Sequence, residues 1–235
     1  MVDASGGRFS EVDQRGGADD RRAIAVLATP ATAALTSEIG REAAASIAVY
    51  ALLDLLAILV PLDGVNIAVV CIDPEHAELV AGVLPAGIDV LLAPSGGQEM
   101  PSLMQWALTT HFERGFDRVL ALVGDVMDIL ARTVATALGA LESADVVIGP
   151  SQNGDLYLIS LRSSAAVELL DDGERSAAVL FERAKARGLT ARRVEPRRRM
   201  ADLAGIEAIC EMVATDPAAL PRLSSALRQI VPPTE

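Results

Sequence analysis

Short β-branched and aliphatic runs alternate along this chain with longer Ala- and Leu-rich runs, and turns rich in Pro, Gly and Asp separate them. The pattern predicts strands at 23–28, 65–72, 88–92, 118–123, 145–148, 156–161 and 191–195. Helices are expected between them, at 37–59, 74–83, 101–112, 130–141, 176–187, 203–214 and 217–230. Pro74 and Pro101 stand where the first turn of a helix tolerates a missing N–H, and Gly188 stands where a left-handed cap would stop one. Repeated strand–helix–strand order predicts a mostly parallel sheet covered by helices, with ligands received at the carboxyl ends of the strands.

The 235 residues suit one domain over 22–214, preceded by a flexible tail over 1–21 and followed by a C-terminal helix and tail over 215–235. Composition refines the picture: 51% of residues are hydrophobic but only 3% aromatic, so the core must be built from Ala, Val, Leu and Ile. A net charge of −12 argues against nucleic acid as a partner, since phosphate backbones are held by Lys and Arg. The first twenty residues lack an apolar signal-peptide core, and Cys71 and Cys210 show no CxxC spacing. Both are read as buried free thiols of a cytoplasmic protein. The stretch 43–62 is apolar except for Ser46 and Asp54 and is long enough to cross a bilayer. Burial between the sheet and neighbouring helices explains it at lower cost, because Asp54 near mid-membrane would cost about 3 kcal/mol. No membrane partner is expected.

Candidate chemistry concentrates in two places. The hydrophobic run 119–123 leads directly into Asp125 and Asp128, which are read either as ligands for Mg²⁺ or Mn²⁺ or as caps of the helix beginning near Leu130. Further on, 145–161 reads as strand, polar loop and strand, with Gly149-Pro150 before the loop and Asn153-Gly154-Asp155-Leu156-Tyr157 through it. No GxGxxG, P-loop or GxSxG motif is present. Eight of the twenty Lys and Arg residues lie between Arg183 and Arg199, read as a solvated helix face and a charge-protected edge strand, or as an anion or protein-partner site. His76, His111 and Trp106 are read as structural.

Together these stretches resemble the uncharacterised bacterial family often called glycosyltransferase A-like. In that family an acidic strand end of the form GSDSPDLP is followed by a loop of the form GPAEDGGYYLIGL. The resemblance runs from about residue 23 to 209 and implies the GT-A-like fold of nucleotide-diphospho-sugar transferases, a three-layer α/β/α sandwich with a mostly parallel sheet. It implies Asp125 as the catalytic and metal-holding aspartate, with Asp128 and Asp202 as further ligands for Mg²⁺ or Mn²⁺. It also implies Gly96, Gly97 and Gln98 toward a nucleotide-activated donor, and Asn153, Gly154, Asp155 and Tyr157 on the acceptor side.

The chain departs from the pattern at several positions. The family's basic loop near the N-terminus is replaced by 28–35, which contains no Lys or Arg; the loop acid becomes Asn153, its second loop glycine becomes Asp155, and the first acid of the late turn becomes Met200. Two functions therefore stand side by side: transfer of a sugar or nucleotidyl group from an activated nucleotide, and a non-catalytic scaffold or regulatory protein. An oligomer is compatible with either.

Overall fold

In the computed structural model, residues 21–28, 36–37, 40–94, 99–200 and 203–230 are described. The expected tail over 1–20, the loop 29–35, the Gly96–Gln98 turn and Asp202 lie outside the described residues. Seven strands form one sheet: β1 (Arg22–Leu27), β2 (Val65–Cys71), β3 (Asp89–Leu92), β4 (Arg118–Val123), β5 (Val146–Pro150), β6 (Leu156–Leu161) and β7 (Ala191–Arg193). Their spatial order is β3-β2-β1-β4-β6-β5-β7. Every pairing is parallel except those of β6, which runs antiparallel to β4 and β5. A five-residue turn joins β5 to β6, too short for a crossover, so these two strands must form a hairpin.

The helices are α1 (Arg41–Leu59), α2 (Pro74–Ala81), α3 (Met100–Glu113), α4 (Ala131–Ala140), α5 (Ala177–Ala186), α6 (Leu203–Thr215) and α7 (Pro221–Ile230), with a 3-10 helix at Ser164–Leu170. The periodicity did not reveal the 3-10 helix, which Ser163 caps by accepting from the Ala165 amide. Two helices begin later than expected, α1 at Arg41 and α7 at Pro221. For α7 the reason is local: Asp216 accepts from the Ala218 amide and holds 216–219 as a turn. Asp73 caps α2 ahead of Pro74, and Gly188 takes φ +74° after α5, as those residues predict.

The core is aliphatic. β1 and β4 are buried almost throughout, as central strands with both faces covered should be. Helix α1 is buried on two sides. Leu52, Leu55, Leu56 and Leu59 join the main core, while Ala44, Ile47 and Ala51 form a second cluster with Met127, Met200, Ile209, Val213, Leu220 and Leu223. Asp54, the one acid in its apolar run, has a side chain 1% exposed. It accepts from the Arg222 and Leu223 amides at 3.0–3.2 Å and from the Arg222 guanidinium at 3.2 Å, and so caps α7 from a distant helix. Among the described residues α1 is the one helix long and apolar enough to cross a membrane, and its inward-facing residues join two buried clusters of the fold. Cys71 is buried and free, whereas Cys210 is exposed, contrary to expectation: Ile209 takes the inward position on α6 and turns its neighbour out.

Candidate active site

At the carboxyl edge of the sheet the chain leaves β1 toward β2 on one side, while β4 lies on the other. The backbones close tightly there. Gly124, just past β4, donates to the Leu27 carbonyl at 2.8 Å, and a Cβ on it would lie 2.7 Å from that oxygen. Glycine is thus what allows the strand end to sit against β1 and to carry Asp125 into the switch-point crevice.

Asp125 is paired with a guanidinium. Arg199 Nε donates to Oδ1 and Nη2 to Oδ2, both at 2.9 Å, with the Arg and Asp side chains 12% and 7% exposed. This two-pronged geometry matches the planar fork of arginine to the carboxylate. Asp128 does not cap α4, whose N-cap Leu130 makes no side-chain cap; its Oδ1 accepts instead from the Arg198 amide at 2.9 Å.

Arg198 and Arg199 belong to a strap, residues 195–200, laid across the strand ends. Its backbone bonds to Pro150 and Gln152 on the β5 side, and Met200 N–H donates to the Asp125 carbonyl at 2.9 Å. Arg197 donates to Glu195 at 2.8 Å and to Thr133 at 3.1 Å, while Arg198 reaches Gln152 at 3.3 Å. The rest of the basic run is dispersed: Arg183 grips Asp172 with two bonds of 2.7 Å, and Arg193 covers the Phe181 ring at 4.1 Å. β7 is an edge strand with Arg192 and Arg193 exposed, in keeping with charge protection of an edge.

The β5–β6 turn is internally bonded. Asn153 Oδ1 takes the Asp155 amide at 3.2 Å and meets the Ser151 hydroxyl, and Gly154 adopts φ +91°. Asp155 lines the adjoining cleft, whereas Tyr157 is fully buried: its ring packs against Gly149 and its hydroxyl donates to the Glu195 carbonyl at 3.1 Å. Burial pushes its phenol up to about 12. In this arrangement Tyr157 holds the strap in place. The cleft, about 340 Å³, is bounded by Glu99, Met100, Met104, Asp155, Arg175 and Arg199. Arg175 faces Glu99 at 3.6 Å.

Sequence reasoning brought Asp125, Asp128 and the 151–155 turn to this edge and counted Arg199 within a possible anion or partner site, but did not pair it with Asp125. A signal was available, since Arg197–Arg199 lead straight into the late acidic turn. As arranged, the described residues do not fit a divalent ion. Both Asp125 oxygens are occupied by Arg199, Asp128 Oδ1 by a backbone amide, and no group of three or more metal-ligating side chains converges among the described residues.

A family model described as an uncharacterised protein conserved in bacteria (DUF2064) matches residues 59–177, half of the chain. The chain belongs to the DUF2064 family. The matched part of this DUF2064 member includes Asp125 and the 151–157 turn and ends before the strap. Its fold is that of nucleotide-diphospho-sugar transferases. A candidate nucleotide-diphospho-sugar transferase from Desulfovibrio desulfuricans G20 shares it with a TM-score of 0.73 and 19% identity, over 90% of this chain and 98% of the other. A cytidylyltransferase from Leptospira borgpetersenii gives 0.59 and 13% over 92% and 98%. CMP:2-keto-3-deoxy-manno-octonic acid synthetase, solved with CTP, gives 0.56 and 15% over 83% and 99%. No curated protein matches the chain significantly.

Proposed function

We propose that this protein binds a nucleotide-activated donor at the carboxyl edge beside Asp125 and transfers a sugar or nucleotidyl group from it. The observation that carries this reading is convergence. Asp155 of the β5–β6 turn and Arg199 of the strap line one cleft of about 340 Å³, within the size range of small-molecule sites, and Arg199 ties that cleft to Asp125 at the switch point. One protein of this fold, CMP:2-keto-3-deoxy-manno-octonic acid synthetase, was solved with CTP. In this reading Gly96, Gly97 and Gln98 face the donor's base or sugar, and Asn153 to Asp155 lie toward the acceptor. The free thiols of Cys71 and Cys210 suit a cytoplasmic location.

Thermal denaturation of the purified protein with nucleoside triphosphates and nucleotide sugars tests the proposal, because a ligand that binds only the folded state must raise its melting temperature. One nucleotide class is expected to raise the midpoint by several degrees, and Asp155→Ala at the cleft wall to reduce the shift. No shift with any nucleotide would overturn it in favour of a non-catalytic partner protein using the Arg183–Arg199 surface. One observation favours that second reading: the loop 28–35 offers no Lys or Arg for phosphate.

A further inference from the structure

A phosphate brought into a partly buried cleft needs a cation beside it, or its lost hydration goes unreplaced. The chain supplies few at this edge. The stretches of sequence that follow β1, β2, β3 and β4 (28–40, 72–73, 93–99 and 124–130) and the β5–β6 turn (151–155) contain no Lys or Arg. Cations enter on the strap as Arg197, Arg198 and Arg199, from the segment before α5 as Arg175, and in the first turns of α1 and α4 as the exposed Arg41 and Arg132. Arg175 faces the Glu99 carboxylate and Arg197 lies between Glu195 and Thr133. Arg199 differs from these. It lines the cleft, is largely buried, and is clamped on Asp125 through two bonds of 2.9 Å.

We propose that the Arg199 guanidinium is the resident cation of this site: held on Asp125 where a divalent ion would bind, it meets the phosphate of a nucleotide-type ligand without metal. The identity of the ligand rests on the functional reading above. Three features support the substitution. The fork of Arg199 takes both Asp125 oxygens, so a metal ion could enter only by expelling it. An expelled guanidinium would then stand, poorly hydrated, beside a dication. Backbone bonds fix the strap as well: Met200 N–H donates to the Asp125 carbonyl, and Val126 and Arg199 form a β-bridge, so the charge is set in place before any ligand arrives. Asp125 is then a positioning residue for Arg199.

The test uses the full chain with pyrophosphate and CTP as probes, titrated calorimetrically in EDTA and again with Mn²⁺, and with Mn²⁺ alone followed by electron paramagnetic resonance. The probes are expected to bind equally well in both conditions, and Mn²⁺ alone to find no site that depends on Asp125. Arg199→Gln should weaken probe binding roughly ten- to hundredfold, the loss of a charge-assisted bond, and Arg199→Lys should restore part of it. Because Arg199→Gln leaves Asp125 unpaired, the double variant Asp125→Asn/Arg199→Gln, whose amides can still bond to each other, guards against misfolding and should lose the probes equally. Probe binding that requires Mn²⁺, or a wild-type Mn²⁺ site abolished by Asp125→Asn, would overturn this inference and leave the functional reading standing. Failure of every nucleotide and of pyrophosphate under both conditions would overturn both.

Discussion

Asp125 and Arg199 are separated by 74 positions, yet they pair through two bonds in a nearly dry environment. Removing one member of such a pair strands a charge. Arg199→Met, which leaves the Asp125 carboxylate without its guanidinium, is therefore expected to cost about 3–5 kcal/mol of unfolding free energy, measured by urea titration, whereas Asp125→Leu/Arg199→Met should recover most of it. Gly124 makes a second prediction at this scale. Its missing Cβ keeps the Leu27 carbonyl in reach, and Gly124→Ala should destabilise the fold by about 1–3 kcal/mol through a backbone clash that rotamer changes cannot relieve. His111 adds a pH dependence. The ring is fully buried, its Nδ1 lies 2.7 Å from the Ala107 carbonyl, its Nε2 has no partner, and burial lowers its pKa. The unfolded chain thus takes up the His111 proton more readily, so this contribution to stability is full above about pH 6.5 and falls as pH drops below that value. Urea titrations at pH 7.5 and 5.5 should show wild type losing more stability than His111→Leu.

Between elements, the most specific contact is Asp54 with the first turn of α7. It satisfies two amides that no residue of α7 itself caps. Asp54→Ala should cost about 2 kcal/mol and raise amide exchange across α7 ahead of the sheet, while Asp54→Asn, which can still accept, should cost less. The strands were legible in the sequence because each is a short aliphatic run bounded by turn residues, and all seven fall within a few positions of expectation. The late start of α7 and the 3-10 helix were not, because local hydrogen bonds of Asp216 and Ser163 set them and periodicity does not register such bonds. The site was half legible. Asp125 announces itself as an acid after a hydrophobic strand, but the partner that occupies it arrives on a segment whose position depends on the whole sheet order. Asp54 illustrates the same limit, for a lone acid in an apolar run reveals nothing of a contact 169 positions away.

For the whole molecule, the apolar length of α1 is explained by two coverings, the sheet below and α6 with α7 above. Detergent phase partitioning should accordingly leave the intact protein in the aqueous phase, and removal of residues 203–235 should shift it toward the detergent phase or into aggregates. The same double covering constrains the order of events during synthesis. Helix α1 emerges from the ribosome ahead of all the sheet strands but β1, and well ahead of the residues that close over its outer side, from Ile209 to Leu223. Between those two points the nascent chain carries a 19-residue greasy segment with one side open, a natural target for chaperones and for misdirected insertion. Sealing that segment waits on α6 and α7, however early the sheet has covered its other side.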